Sequence, residues 1–69
     1  MGAHYELVIR GEPGELLRAA FADVDLRPGP ACTILTGDFD AAALHSLLAR
    51  IGNLGLELVS VQQIADAAR

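Results

Sequence analysis

An α+β fold is predicted for this chain of 69 residues, and three observations predict it. Four short segments are rich in alternating or β-branched apolar residues. Two others space their apolar residues three and four apart, as one face of a helix requires. Glycine and proline separate the segments. In order they read β-α-β-β-α-β.

His4 to Arg10 is the first strand. Tyr5, Leu7 and Ile9 alternate with Glu6, Val8 and Arg10, the period of a strand with two unlike faces. Gly11-Glu12-Pro13-Gly14 breaks it. Proline is accepted in the first turn of a helix, where its missing N–H costs nothing. Glu12 and Glu15 suit the positive end of the helix dipole. Leu16, Leu17, Ala20 and Phe21 follow at helical spacing and predict a helix from about Pro13 to Ala22. Val24 to Arg27 alternates again, Pro28-Gly29-Pro30 signals a turn, and Cys32 to Thr36 favours a strand that Gly37 ends. These two strands make a hairpin whose loop is longer than a tight primed turn. The second helix is the clearest element. Asp40 caps it ahead of Ala41, Ala42 and Ala43, with Phe39 at the staple position. Leu44, Leu47, Leu48, Ile51 and Leu54 then form one apolar stripe. Gly55 is placed to end it in a left-handed conformation. Leu56 to Val61 is the last strand. The alanine-rich tail from Ile64 to Arg69 is expected to fray or add a helical turn, residues 65–69 above all.

This order is the split β-α-β arrangement of a ferredoxin-like sandwich. Right-handed crossovers put both helices on one face of a four-stranded antiparallel sheet of order 4-1-3-2. One domain spanning residues 1–69 is expected. Leu16, Leu17, Phe21, Leu44, Leu47, Leu48 and Ile51 are its expected core.

Composition narrows the function. Apolar residues make up 52% of the chain and charged residues 20%, and the mean hydropathy is +0.37. Disordered chains combine low hydrophobicity with high charge, so disorder is excluded. Apolar runs stop far short of the ~20 residues of a membrane span. A basic segment followed by an apolar one is absent from the N-terminus, so a cytoplasmic location is expected. The net charge is −4, and Arg10, Arg18, Arg27, Arg50 and Arg69 form no cluster. Nucleic acid and acidic lipid both need a basic face, so neither is an expected partner.

Residues able to carry chemistry are few. The topology sets His4 and Asp38 at the same end of neighbouring strands, where a surface hydrogen bond is the expected outcome. Cys32 has no neighbouring base to activate it. Asp23 with Asp25, and Asp38 with Asp40, offer too few oxygens for calcium and suit turns and caps. Phosphate-binding glycine loops, nucleophile elbows and zinc-ligand spacings are absent. Neither catalysis nor a metal or other cofactor is expected.

Two resemblances bear on the fold. Val8-Ile9-Arg10-Gly11-Glu12-Pro13-Gly14-Glu15-Leu16-Leu17 resembles the first strand and helix start of ACT domains. That family binds amino acids or similar small ligands at dimer interfaces near this loop. The resemblance implies a ligand site at Arg10, Gly11, Glu12, Pro13 and Gly14; the acidic or amide residue usual after the strand is Gly11 here. Tyr5 to Arg10, Thr33 to Gly37, Ala43 to Ile51 and Leu54 to Val61 resemble small uncharacterised proteins of actinobacteria. This implies one complete small protein and no particular activity.

Apolar residues fall on both parities of the strands, so the sheet has no wholly polar face. A domain this small buries only about 60% of its unfolded surface. A homodimer joined by sheet face or strand edge is therefore expected, acting as a non-catalytic interaction or regulatory module with a protein partner or an amino-acid-like ligand. The alternatives are an ACT-like ligand sensor and an enzyme of the dimeric α+β barrel type.

Overall fold

The computed structural model describes residues 2–64. Its elements follow the expected order: β1 (Ala3–Arg10), α1 (Glu15–Ala20), β2 (Asp25–Gly29), β3 (Cys32–Phe39), α2 (Ala41–Asn53) and β4 (Leu58–Gln63). The strands form one antiparallel sheet in the order β2-β3-β1-β4. That is the predicted order read from the other edge.

The alternation in β1 decides the layering. Leu7 and Ile9 are fully buried, and Leu35 faces Leu7 across the β1–β3 ladder. Phe21, Leu47 and Ile51 close over them from the helical side, with Leu17, Ala20, Leu44 and Leu48 packed around the rim. Both helices thus cover the same face, the one bearing Leu7, Ile9 and Leu35.

The details depart from the sequence reading in five places. Helix α1 is six residues long rather than ten, because Gly14 is its N-cap and Pro13 lies before it. So short a helix turns only one side inward, through Leu17 and Ala20. Leu16 is 80% exposed and leaves the predicted core. Phe21 sits just past the last turn and fills the centre instead. Strand β2 runs through Pro28 to Gly29, and Gly29 pairs with Cys32, so the hairpin loop is the tight two-residue Pro30-Ala31. Pro28 is accepted because β2 is an edge strand, and Ala31 takes the left-handed conformation, φ 55°, that closes the turn. Gly37 does not end β3. It pairs with Tyr5, and the Phe39 ring covers it so closely that a Cβ there would stand 2.9 Å from Cζ. Strand β4 starts two residues later than expected, at Leu58. The expected frayed tail, residues 65–69, lies outside the described residues.

Helix α2 matches its prediction closely. The Asp40 carboxylate accepts from the Ala43 N–H at 2.7 Å, satisfying one of the free donors at the helix start. Gly55, φ 73°, leads the chain out. The stripe is graded: Leu47 and Ile51 are buried, Leu44 and Leu48 half-buried, and Leu54 exposed.

Leu35→Ala removes a side chain sealed between sheet and helices, and should cost about 2–5 kcal/mol. Leu16→Ala, on a side chain that meets water, should stay within about 0.5 kcal/mol of the parent. Urea unfolding of the two variants checks the contrast; equal losses would mean that α1 packs by its other side.

Candidate functional site

The loop from Arg10 to Gly14 leaves β1 at the end where β3 begins. Gly11 takes φ 100°, a conformation open to glycine at little cost. Its N–H donates to the Ala31 carbonyl at 2.9 Å. Its carbonyl accepts from the Thr33 hydroxyl at 2.8 Å. Thr33 is itself fully buried on the core side of β3, so this bond satisfies a polar group that burial would otherwise penalise. Arg10 reaches the residue just ahead of β4: its backbone N–H donates to the Glu57 carbonyl, and its guanidinium Nε lies 2.9 Å from the Glu57 carboxylate. The Gly14 carbonyl accepts from the Arg18 N–H at 3.0 Å. Glu12 and Gly14 are exposed and Pro13 half-buried. The five residues are contiguous in space, but Arg10, Gly11 and Gly14 already use groups on the fold itself. The loop is a joint that ties β1 to β3, α1 and β4.

Two further ionic contacts lie elsewhere on the fold. His4 Nδ1 and Asp38 Oδ1 lie 2.9 Å apart, the cross-strand contact that the topology predicts. Arg50, on α2, donates to the Asp23 carboxylate at 2.9 Å and to the Ala20 carbonyl at 3.1 Å. Its guanidinium also stands 5.5 Å from the centre of the Phe21 ring, within cation–π range. Arg50 therefore fastens the end of α1 to α2. Its hydrogen bond holds the Asp23 pKa below the ordinary 3.8, helped by the residue's own backbone N–H. A shallow, open hollow of about 340 Å³ lies between Asp23–Asp25 and Thr36–Phe39. Of its three carboxylates, Asp23 is held by Arg50 and Asp38 by His4. The hollow is far from the Arg10–Gly14 loop, at the other end of β3. Among the described residues no three His, Cys, Asp or Glu side chains are grouped to hold a metal ion.

Three of these contacts were not foreseen: Thr33 with Gly11, Arg10 with Glu57, and Arg50 with Asp23. One signal was available. Thr33 shares the parity of Leu35, so a polar side chain had to enter the core and find an acceptor.

The remaining surface divides in two. The sheet face away from the helices bears His4, Glu6, Val8 and Arg10 from β1, Asp25 and Arg27 from β2, and Cys32, Ile34, Thr36 and Asp38 from β3. Val8, Ile34 and Cys32 are half-buried among these charged neighbours. The flank around β4 differs. Leu54, Leu58, Val59 and Val61 are exposed, while β4 itself carries no charge and no proline.

Fold and surface together define a small open-faced α+β sandwich of ferredoxin-like topology with a bare apolar edge. A family model described as a domain of unknown function, DUF8691, matches residues 4–62, and the chain belongs to that family. Neither curated proteins nor solved structures provide a match to it. No helix among the described residues is long and apolar enough to cross a membrane.

Two outcomes follow from these contacts. Because Arg50 depresses the Asp23 pKa in the folded chain, the pair's stabilisation is present above about pH 3.8 and is lost as the pH falls below that value. Asp23→Asn should lower the urea midpoint at pH 7, and the gap from the parent should narrow toward pH 3. Thr33→Val leaves the Gly11 carbonyl without its donor and should cost about 1–3 kcal/mol. A neutral Thr33→Val would show that water reaches that carbonyl.

Proposed function

We propose that the domain is a non-catalytic interaction module that works by self-association. The observation that supports this reading is the placement of exposed apolar side chains. Of the five large hydrophobic residues exposed among the described residues, four fall between Leu54 and Val61. Single exposed aliphatics are ordinary on soluble domains, whereas a contiguous group points to a contact surface.

The edge is favoured over the open sheet face by charge. Glu6, Arg10, Asp25 and Arg27 ring the half-buried Val8 and Ile34 on that face. Pressing two such faces together would strip water from these groups, which is costly unless each finds a partner. The β4 flank carries no such cost. Nor does the Arg10–Gly14 loop offer a free cation to an anionic ligand, since the Arg10 guanidinium rests on Glu57.

Sedimentation equilibrium between about 1 and 100 µM, the range in which an ordinary dimer forms, tests the reading. The expected mass approaches twice the 7.2 kDa of the chain as concentration rises. A mass that stays at one chain throughout would overturn it.

A further inference from the structure

The helical layer is held unevenly. Helix α2 runs for 13 residues, has the Asp40 cap and buries Leu47 and Ile51. Helix α1 has 6 residues, buries none of them, and starts at Gly14, which offers no side chain to cap it. From Glu12 to Ala20 only Pro13, Leu17 and Ala20 are half-buried; the other residues are exposed. A helix shorter than about 12 residues is marginal in water by itself, so packing has to hold it. Here little packing is available.

Both ends of this stretch are fastened. At the near end the Gly11 N–H donates to the Ala31 carbonyl at 2.9 Å, and the Gly11 carbonyl accepts from the Thr33 hydroxyl at 2.8 Å. At the far end Phe21 is sealed in the core. Beside it Arg50 donates to the Ala20 carbonyl at 3.1 Å and to the Asp23 carboxylate at 2.9 Å. Between these two posts the hydrogen bonds stay within α1 and its ends: the Arg18 N–H donates to the Gly14 carbonyl, and the Phe21 N–H to the Leu17 carbonyl. Among the described residues no hydrogen bond joins Glu12–Ala19 to another element. The entry is built to swing. Gly11 takes φ 100°, and a Cβ placed on Gly14 would meet nothing within 4 Å.

We infer that Glu12–Ala20 is a lid on the core. Helix α1 unwinds and lifts between the two posts, while the sheet, α2 and Phe21 stay in place. Lifting withdraws Leu17 and Ala20, which pack against the buried cluster, and uncovers apolar surface that the closed form hides. Contiguous units with few buried contacts open in this way at lower free energy than the whole fold. The posts set the limit of the motion. Opening cannot run past Phe21 without breaking the core, because that ring fills its centre.

The lid does not depend on the self-association proposed above. Native-state hydrogen exchange tests it on the whole chain, at one pH and one protein concentration, with urea raised stepwise but kept below the unfolding transition. Relative to their intrinsic rates, the Arg18 and Phe21 amides should exchange at least about tenfold faster than those of Leu7 and Ile9 on the central β1 strand. Their rates should change little with urea, because the urea slope follows the surface exposed on opening. Leu7 and Ile9 should show the full slope of unfolding. Gly14→Asp adds a capping carboxylate and a negative charge at the helix start, where φ −102° accepts a side chain. It should slow the Arg18 and Phe21 amides about two- to fivefold. Arg18 and Phe21 amides that share the rates and the urea slope of Leu7 and Ile9 would overturn the lid, since α1 would then open only with the whole fold. So would a folded Gly14→Asp chain in which both amides keep the parent's rates.

Discussion

Leu7 and Ile9 carry the fold. They sit on β1, one of the two central strands, which is hydrogen-bonded to β3 on one side and to β4 on the other, and both are sealed from water. Full burial of such a side chain stabilises by about 1.5–3 kcal/mol, so the pair anchors the layer that everything else approaches. Leu35 meets Leu7 from β3, Phe21 arrives from the end of α1, and Leu47 and Ile51 come from α2. Because side chains alternate along β1, fixing Leu7 and Ile9 inward also fixes Glu6, Val8 and Arg10 outward. A register slip by one residue would exchange the two sets. The exposed charges of the open face are in this sense a consequence of the buried pair.

What the sequence made legible was what periodicity controls. The two helices, the strand order and the Asp40 cap all follow from spacing or from a local hydrogen bond. The misreadings arise where a residue's usual meaning is changed by its neighbours. Pro28 looks like the end of a strand, but on an edge its missing N–H faces water and costs no ladder bond. Gly37 looks like a terminator, but it makes room beneath the Phe39 ring. Leu16 and Leu17 are adjacent and both apolar, so pattern alone admits both to the core. A six-residue helix can turn only one of them inward.

The candidate site shows the same division. His4 with Asp38 was legible because strand order alone brings them side by side. Arg10 with Glu57 depends on the shifted register at the β4 bulge, which no local pattern announces. Arg50 with Asp23 and Phe21 depends on where α2 crosses the end of α1. Such contacts join residues far apart in the chain, and an arginine at their centre looks in sequence like any solvated arginine. Between Val8 and Leu17 the same limitation applied to Arg10: the sequence offered Glu12 as its nearest acid, and the fold supplied Glu57.

The thinness of the core and the bareness of β4 have one origin. A four-stranded sheet needs a helical layer as wide as itself, and here one of the two helices has only six residues. The layer closes over β3 and β1 and leaves Leu58 and Val61 half covered at the margin. Lengthening the helices would bury that margin, but it would need a longer chain. The self-association proposed above would supply apolar surface at the same place without one. Association would also raise stability with concentration, because binding to the folded state alone draws the equilibrium toward it. A domain with six buried hydrophobic residues in its described core gains proportionally more from that term than a larger one would. The charges and proline of the β2 edge then have a clear physical purpose. Asp25, Arg27 and Pro28 blunt that edge against pairing with another chain, so an association at the β4 flank would not extend the sheet from its far side.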